Sequence, residues 1–266
     1  MAGDQTIDSD GADLERRFGG VGRLVGPAAF ARLRAARVAV VGVGGVGSWA
    51  AEALARSGVG RITLIDLDHV SLSNANRQIQ ALGEEFGKAK VVAMAQRIRD
   101  INPRAQVQGI EEFIDEDNVA RLLVDVDVVL DCIDQVSAKA ALIAHGRARG
   151  LPVITCGAAG GRTDPTRIRH ADLARALGDP LLAKVRYRLR RLYGFARETA
   201  TRRPSFGVDA VYSDEPVRRP VAASDSPEGA DIRSGLACAG YGSSVTVTAP
   251  FGFAAAARAL QRIIRD

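Results

Sequence analysis

Gly42, Gly44, Gly45 and Gly47 in the run GVGGVG match the spacing G-x-G-x-x-G, directly after the β-branched run RVAVVGV at 37–43 and before the helix formers SWAAEALAR at 48–56. In that context backbone amides and a helix N-terminus can cradle phosphate oxygens. The same glycines could instead serve only a tight turn and close helix packing. Asp66 closes the apolar run RITLID at 61–66, nineteen residues after Gly47, near the ~20-residue offset at which an acid hydrogen-bonds ribose hydroxyls. Asp68 competes for that role. Up to this point a nicotinamide dinucleotide and ATP fit equally well.

Asn74, Asn76 and Arg77 follow, just beyond the ribose position, and Lys90 lies in GEEFGKAK. A nicotinamide needs no extra cation there. A triphosphate attacked by a nucleophile does, because charge builds on its α-phosphate oxygens. Only four of the chain's 36 Lys and Arg residues are lysines (Lys88, Lys90, Lys139, Lys184), which draws attention to Lys90, although a solvated helix lysine is the plain alternative. Asp131 and Asp134 end another apolar run, DVVLDCI at 127–133 and the next residue. They therefore emerge at the carboxyl edge of a sheet, where a carboxylate can hold magnesium together with phosphates and water. Asp134 could equally be a helix N-cap. His69, His145 and His170 form no metal or triad pattern. Cys238 sits among glycines and could be a working thiolate or a small buried thiol, whereas Cys132 and Cys156 lie on expected strands and belong to the core.

The elements that must carry these residues alternate. Strands are expected at 37–43, 61–66, 106–110, 127–133 and 152–156, and helices at 48–56, 84–101, 117–124 and 137–149. This is an α/β chain with a Rossmann-like, doubly wound, mainly parallel sheet. The pattern divides it into an acidic frayed tail at 1–15, a nucleotide-binding core at 16–157 and a C-terminal elaboration at 158–266 that faces substrate and packs on the same sheet. The elaboration holds the turn-rich GAAGGRTDPTR, a basic amphipathic helix at 180–193, a polar loop at 218–233, a strand at 243–248 and a helix at 251–264.

With 266 residues, 47% hydrophobic and 25% charged, the chain can bury a sizeable core. Three widely spaced cysteines without a C-x-x-C pair build neither a disulfide framework nor a thiolate zinc site, and suit the cytoplasm. The uncharged stretch 236–257 is long enough to span a bilayer, but its glycines, serines, threonines and Pro250 favour a buried strand and helix, so no membrane insertion is expected. The net charge of +5 is local: residues 181–219 hold ten Lys and Arg, among them Lys184, Arg186, Arg190 and Arg191, against four acids. That segment would meet an anionic partner, or else is a solvated face.

The run from Val38 to Gln78, VAVVGVGGVGSWAAEALARSGVGRITLIDLDHVSLSNANRQ, resembles the ubiquitin-activating-like adenylating enzymes, which include the molybdopterin and thiamine sulfur-carrier activators. RFGGVGRL at 17–24, INPRAQV, DCIDQVSAKAALIAHGRARGLPVIT, GAAGGRTDPTRI, DPLLAKVR and VTAPFGF are similar to one branch, the tRNA threonylcarbamoyladenosine dehydratases, over nearly the whole chain after residue 15. The resemblance implies that the glycine loop and Asp66 hold ATP, that Asn74, Arg77 and Lys90 contact its phosphates, and that Asp134 serves magnesium. It also implies a homodimer in which Arg17 or Arg23 completes the other subunit's site. The implied reaction is adenylation of the threonylcarbamoyl carboxylate beside the tRNA anticodon, followed by ring closure with release of AMP. A tRNA backbone grip by Lys184, Arg186, Arg190 and Arg191 would accompany it.

Three other functions compete with this one. The chain could adenylate a ubiquitin-like sulfur-carrier protein, act as a nicotinamide dehydrogenase, or serve as a non-catalytic scaffold working with a cysteine desulfurase and sulfur-acceptor system.

Overall fold

The structure is a computed structural model in which residues 11–197, 199, 204–218 and 241–265 are described. Two helices, α1 (Gly11–Val25) and α2 (Pro27–Ala35), lead into β1 (Arg37–Val41), α3 (Gly47–Arg56), β2 (Arg61–Ile65), α4 (Lys90–Ile101) and β3 (Gln106–Ile110). The chain continues through α5 (Val119–Leu122), β4 (Val128–Asp131), α6 (Val136–Arg149), β5 (Val153–Cys156), β6 (Ile168–Asp172), α7 (Pro180–Leu192), β7 (Asp209–Ser213) and α8 (Val245–Arg265).

The strands form one sheet in the order β3-β2-β1-β4-β5-β7-β6. Neighbours are parallel except β6 and β7, which pair antiparallel. The chain leaves β1 toward β2 on one side and reaches β4 on the other, so the crevice at the carboxyl ends of β1 and β4 is the topological switch point where such sheets take ligands.

Parallel strands are covered on both faces, and alternate residues of β1 show how. Val38 and Val40 pack with Leu54, Met94 and Phe251 from α3, α4 and α8. Ala39 and Val41 pack with Leu142, Ile143, Val185 and Leu189 from α6 and α7. The two helix layers thus clamp the strand that delivers the glycine turn.

Several elements differ from expectation. The helix expected from residue 84 begins only at Lys90; a short 3-10 turn at Gly83–Glu85 and Gly87 at φ +89° precede it, a backbone angle no continuing right-handed helix accepts. The strand expected at 243–248 is absent, because Val245–Thr248 open α8. There Val247, Phe251, Ala255 and Ala259 are buried at four-residue spacing, and that burial outweighs the β preference of valine and threonine. Strands β6 and β7 have no counterpart in the expected pattern, and α1 takes in residues 11–15 of the segment expected as a tail. Cys238 and residues 219–233 of the polar loop lie outside the described residues. Among the described residues no helix is long and apolar enough to cross a membrane.

Candidate active site

The turn between β1 and α3 divides its glycines by role. Gly42 has φ +86°, and a Cβ there would lie 2.9 Å from the Cys132 carbonyl; a Cβ on Gly47 would sit 1.8 Å from the Gly42 oxygen. These two glycines are demanded by the backbone itself. A Cβ on Gly44 would meet nothing within 4 Å, so no neighbouring protein atom requires this glycine. Gly45 lies under Arg77, whose Cγ and Cδ would be 3.2 Å from an added Cβ. Behind the turn, Gln80 donates to the Val43 carbonyl at 3.0 Å, and the backbones of α3 and α8 touch at Gly252, where a Cβ would be 2.5 Å from the Val46 oxygen.

Asp66 follows β2 and accepts hydrogen bonds from the Val43 amide at 2.6 Å and the Asp68 amide at 2.9 Å. A carboxylate offers about four lone-pair positions, which leaves capacity for ribose hydroxyls. Burial raises the Asp66 pKa above its ordinary value, opposed by the charge of Lys90 and by the two amides. Lys90, the first residue of α4, is buried and donates to Asp68 Oδ2 at 2.6 Å. Arg77 is half-buried; its guanidinium is oriented by the Ser73 carbonyl at 2.8 Å and Asn76 Oδ1 at 2.9 Å, and its own carbonyl accepts from the Trp49 ring N–H at 2.9 Å.

Asn74 is buried and helps to hold this turn. Its Oδ1 accepts from the Ser71 amide at 3.1 Å and closes a capping box on the turn that carries Arg77. Asp134 is not a helix cap, because Gln135 occupies the N-cap of α6. It is exposed and makes no ion pair among the described residues. Partial desolvation raises its pKa, opposed by its own backbone amide and by Lys139 and Lys90 and aided by Asp68. Asp66, Asp68, Lys90 and Asp134 therefore share one electrostatic neighbourhood at the switch point.

Asp131, expected to emerge beside Asp134 at the carboxyl edge of the sheet, is instead fully buried beneath it, because a lysine not singled out in the sequence is buried with it. Lys139 Nζ lies 2.8 Å from Asp131 Oδ2, both side chains fully buried, and also donates to the Asp131 carbonyl at 3.1 Å, while Thr155 Oγ1 donates to Asp131 Oδ2 at 2.7 Å. Burial holds the Asp131 carboxyl above its ordinary pKa even so. The one available signal was a lysine inside the apolar helix pattern SAKAALIA. Next to it Cys132 Sγ and Cys156 Sγ lie 4.0 Å apart as free thiols.

Other expected residues lie elsewhere. Arg17 reaches the Asp100 and Ile101 carbonyls at the end of α4, and Arg23 is exposed, 3.9 Å from Glu15. The amino-terminal edge of the sheet carries a separate cavity of about 280 Å³ beside Gly58, Gly60 and Arg104. On α7 the four basic residues split. Lys184 and Arg191 are exposed, but Arg186 is buried with its guanidinium on the Ala176 carbonyl. Arg190 places its guanidinium 5.3 Å from the centre of the Phe206 ring. Arg186 thus packs inward, because the inner face of an amphipathic helix must find partners even for charge, while Arg190 is only half-buried.

Residues 20–265 match the model of the ThiF family. The chain belongs to the ThiF family. Among its relatives in that family, a tRNA threonylcarbamoyladenosine dehydratase of Haemophilus influenzae is 44% identical over 255 residues, covering 95% of each chain. The crystal structure of the E. coli tRNA N6-threonylcarbamoyladenosine dehydratase in complex with ATP matches with TM-score 0.85 at 43% identity, over 97% of this chain and 98% of that one. A molybdopterin-synthase adenylyltransferase of Haemophilus influenzae is 36% identical, over only 47% of this chain.

Proposed function

We infer that this ThiF-family chain is an ATP-dependent tRNA threonylcarbamoyladenosine dehydratase. The observation that carries this is the extent of the likeness: it runs through both the nucleotide crevice and the C-terminal elaboration, whereas the likeness to a sulfur-carrier activator covers half the chain. Sulfur-carrier activation is accordingly not favoured.

In this reading the ribose sits on Asp66, and the phosphates pass over the open face of Gly44 onto the N-terminus of α3. Arg77 and Lys90 supply positive charge where it accumulates. The threonylcarbamoyl carboxylate attacks the α-phosphorus and expels pyrophosphate, giving an acyl adenylate. The adjacent urea-like group then attacks the activated carbonyl, loses a proton, and AMP departs with the former carboxylate oxygen, so that water is lost overall. The substrate supplies its own nucleophile, and the chain contributes positioning and electrostatics.

Magnesium fits the donor set. Asp134 is an accessible carboxylate with no ion pair among the described residues, and magnesium commonly takes one or two carboxylates with phosphates and waters. When bound it would neutralise phosphate charge. Arg17 and Arg23 lie on the first helix, toward the opposite edge of the sheet where Arg17 grips the end of α4, so either would act from a second copy in a homodimer. Lys184 and Arg191 remain as outward cations for tRNA.

The test is nucleoside mass spectrometry of threonylcarbamoyladenosine-bearing tRNA incubated with the protein, ATP and magnesium. Loss of one water that requires ATP is expected; an unchanged nucleoside would refute the assignment.

A further inference from the structure

The outer face of α7 and the first turn of α6 enclose a groove of about 610 Å³, lined by Val136, Lys184, Tyr187, Arg188, Arg191 and Leu192. The α7 residues recur at i, i+3, i+4, i+7 and i+8, one face of a helix, opposite the buried Leu182, Val185 and Leu189. Tyr187 is 64% exposed and Leu192 53%, an unusual outlay of ring and aliphatic surface on a basic helix. Three cations border it, and among the described residues one acid answers them: Glu116, 3.8 Å from Arg188. Neither Lys184 nor Arg191 pairs with an acid among the described residues. Val136, two residues after Asp134, is the first residue of α6.

We propose that this groove seats an unpaired nucleobase of single-stranded RNA, stacked on the Tyr187 ring with the neighbouring phosphates on Lys184, Arg188 and Arg191. An aromatic face flanked by cations is the chemistry that holds single strands, because every base has a π-face and each linkage a negative charge. A duplex keeps its bases stacked and cannot present one. The identity of the base rests on the dehydratase assignment: it is a loop nucleotide next to the adenosine whose carboxylate must reach the α-phosphate.

The experiment measures affinity for an anticodon stem-loop RNA and for a duplex of equal length, across a salt series, with ATP affinity followed by calorimetry. Tyr187→Ala is expected to weaken stem-loop binding about 5- to 150-fold while leaving the salt slope, duplex binding and ATP affinity unchanged, and Tyr187→Phe to restore it. The double variant Lys184→Gln/Arg191→Gln should lower the salt slope by about 1.4. A 5-iodouridine beside the modified position should photocrosslink to Tyr187 in the wild-type protein. Wild-type stem-loop affinity in Tyr187→Ala, or a crosslink mapping elsewhere, overturns the proposal. Sedimentation showing that Tyr187→Ala splits a dimer also overturns it, since the groove would then seat a second copy. Stacking on Tyr187 without any ATP-dependent loss of water supports the groove and refutes the dehydratase assignment alone.

Discussion

Lys90 Nζ lies 2.6 Å from Asp68 Oδ2, with the lysine side chain 7% exposed and the aspartate 58% exposed. The cation is buried and its partner is open to solvent, so in the proposed reading an arriving phosphate oxygen would share the ammonium with Asp68. Lys90→Met should therefore keep the fold and lower kcat by about 10²–10³-fold, the usual effect of removing one preorganised donor from a transition state. Single-turnover adenylation checks this; wild-type kcat would remove Lys90 from the phosphate site.

The two kinds of glycine in the turn should separate fold from ligand. Gly47→Ala forces a Cβ into the Gly42 carbonyl and should lower the melting temperature and abolish ATP binding together. Gly44→Ala meets no protein atom within 4 Å and should melt like the wild type while losing ATP affinity. Thermal melts with and without ATP distinguish the two.

Asp66 sets a pH dependence. Its folded pKa lies above the ordinary 3.8, with burial the largest cause, so the native state holds this proton more tightly than the unfolded chain. Stability from this group is therefore greatest at low pH and falls as pH rises from 3.8 through the raised value. In the proposed site nucleotide binding would run the other way, because the ionised carboxylate is the better acceptor for ribose hydroxyls. ATP affinity should weaken as pH falls through the raised pKa, and Asp66→Asn should flatten that dependence; calorimetry from pH 7 downward measures both.

The buried pair Lys139 and Asp131 should be costly to break and cheap to replace. Lys139→Met leaves Asp131 buried without its counter-charge and should destabilise the protein by about 3–5 kcal/mol. Adding Asp131→Leu should restore most of that loss, since an apolar pair of similar volume avoids desolvating two ions. Urea midpoints report the stability. ATP turnover in the double variant reports whether the pair also positions the loop that carries Asp134.

Much of the fold was legible because strand and helix alternation is a local pattern. The runs RVAVV, RITLI and VVLD become β1, β2 and β4 close to their expected bounds. The start of α8 was not legible, because VTVT reads as a strand until its burial against α3 is known. Strand β7 was hidden because its place beside β5 depends on a partner distant in sequence.

The site divides along the same line. Residue types and spacing determined by themselves that a glycine turn follows a buried strand, that acids emerge at the ends of the next strands, and that cations follow them. Only the tertiary structure decided that Gly44 opens outward while Gly42 and Gly47 are locked in backbone, that Asn74 caps a turn, that Lys90 rests on Asp68, and that Arg186 points into the body while Lys184 and Arg191 point out. Which way a side chain faces is fixed by the neighbours its element packs against, and those neighbours come from parts of the chain that no local window contains.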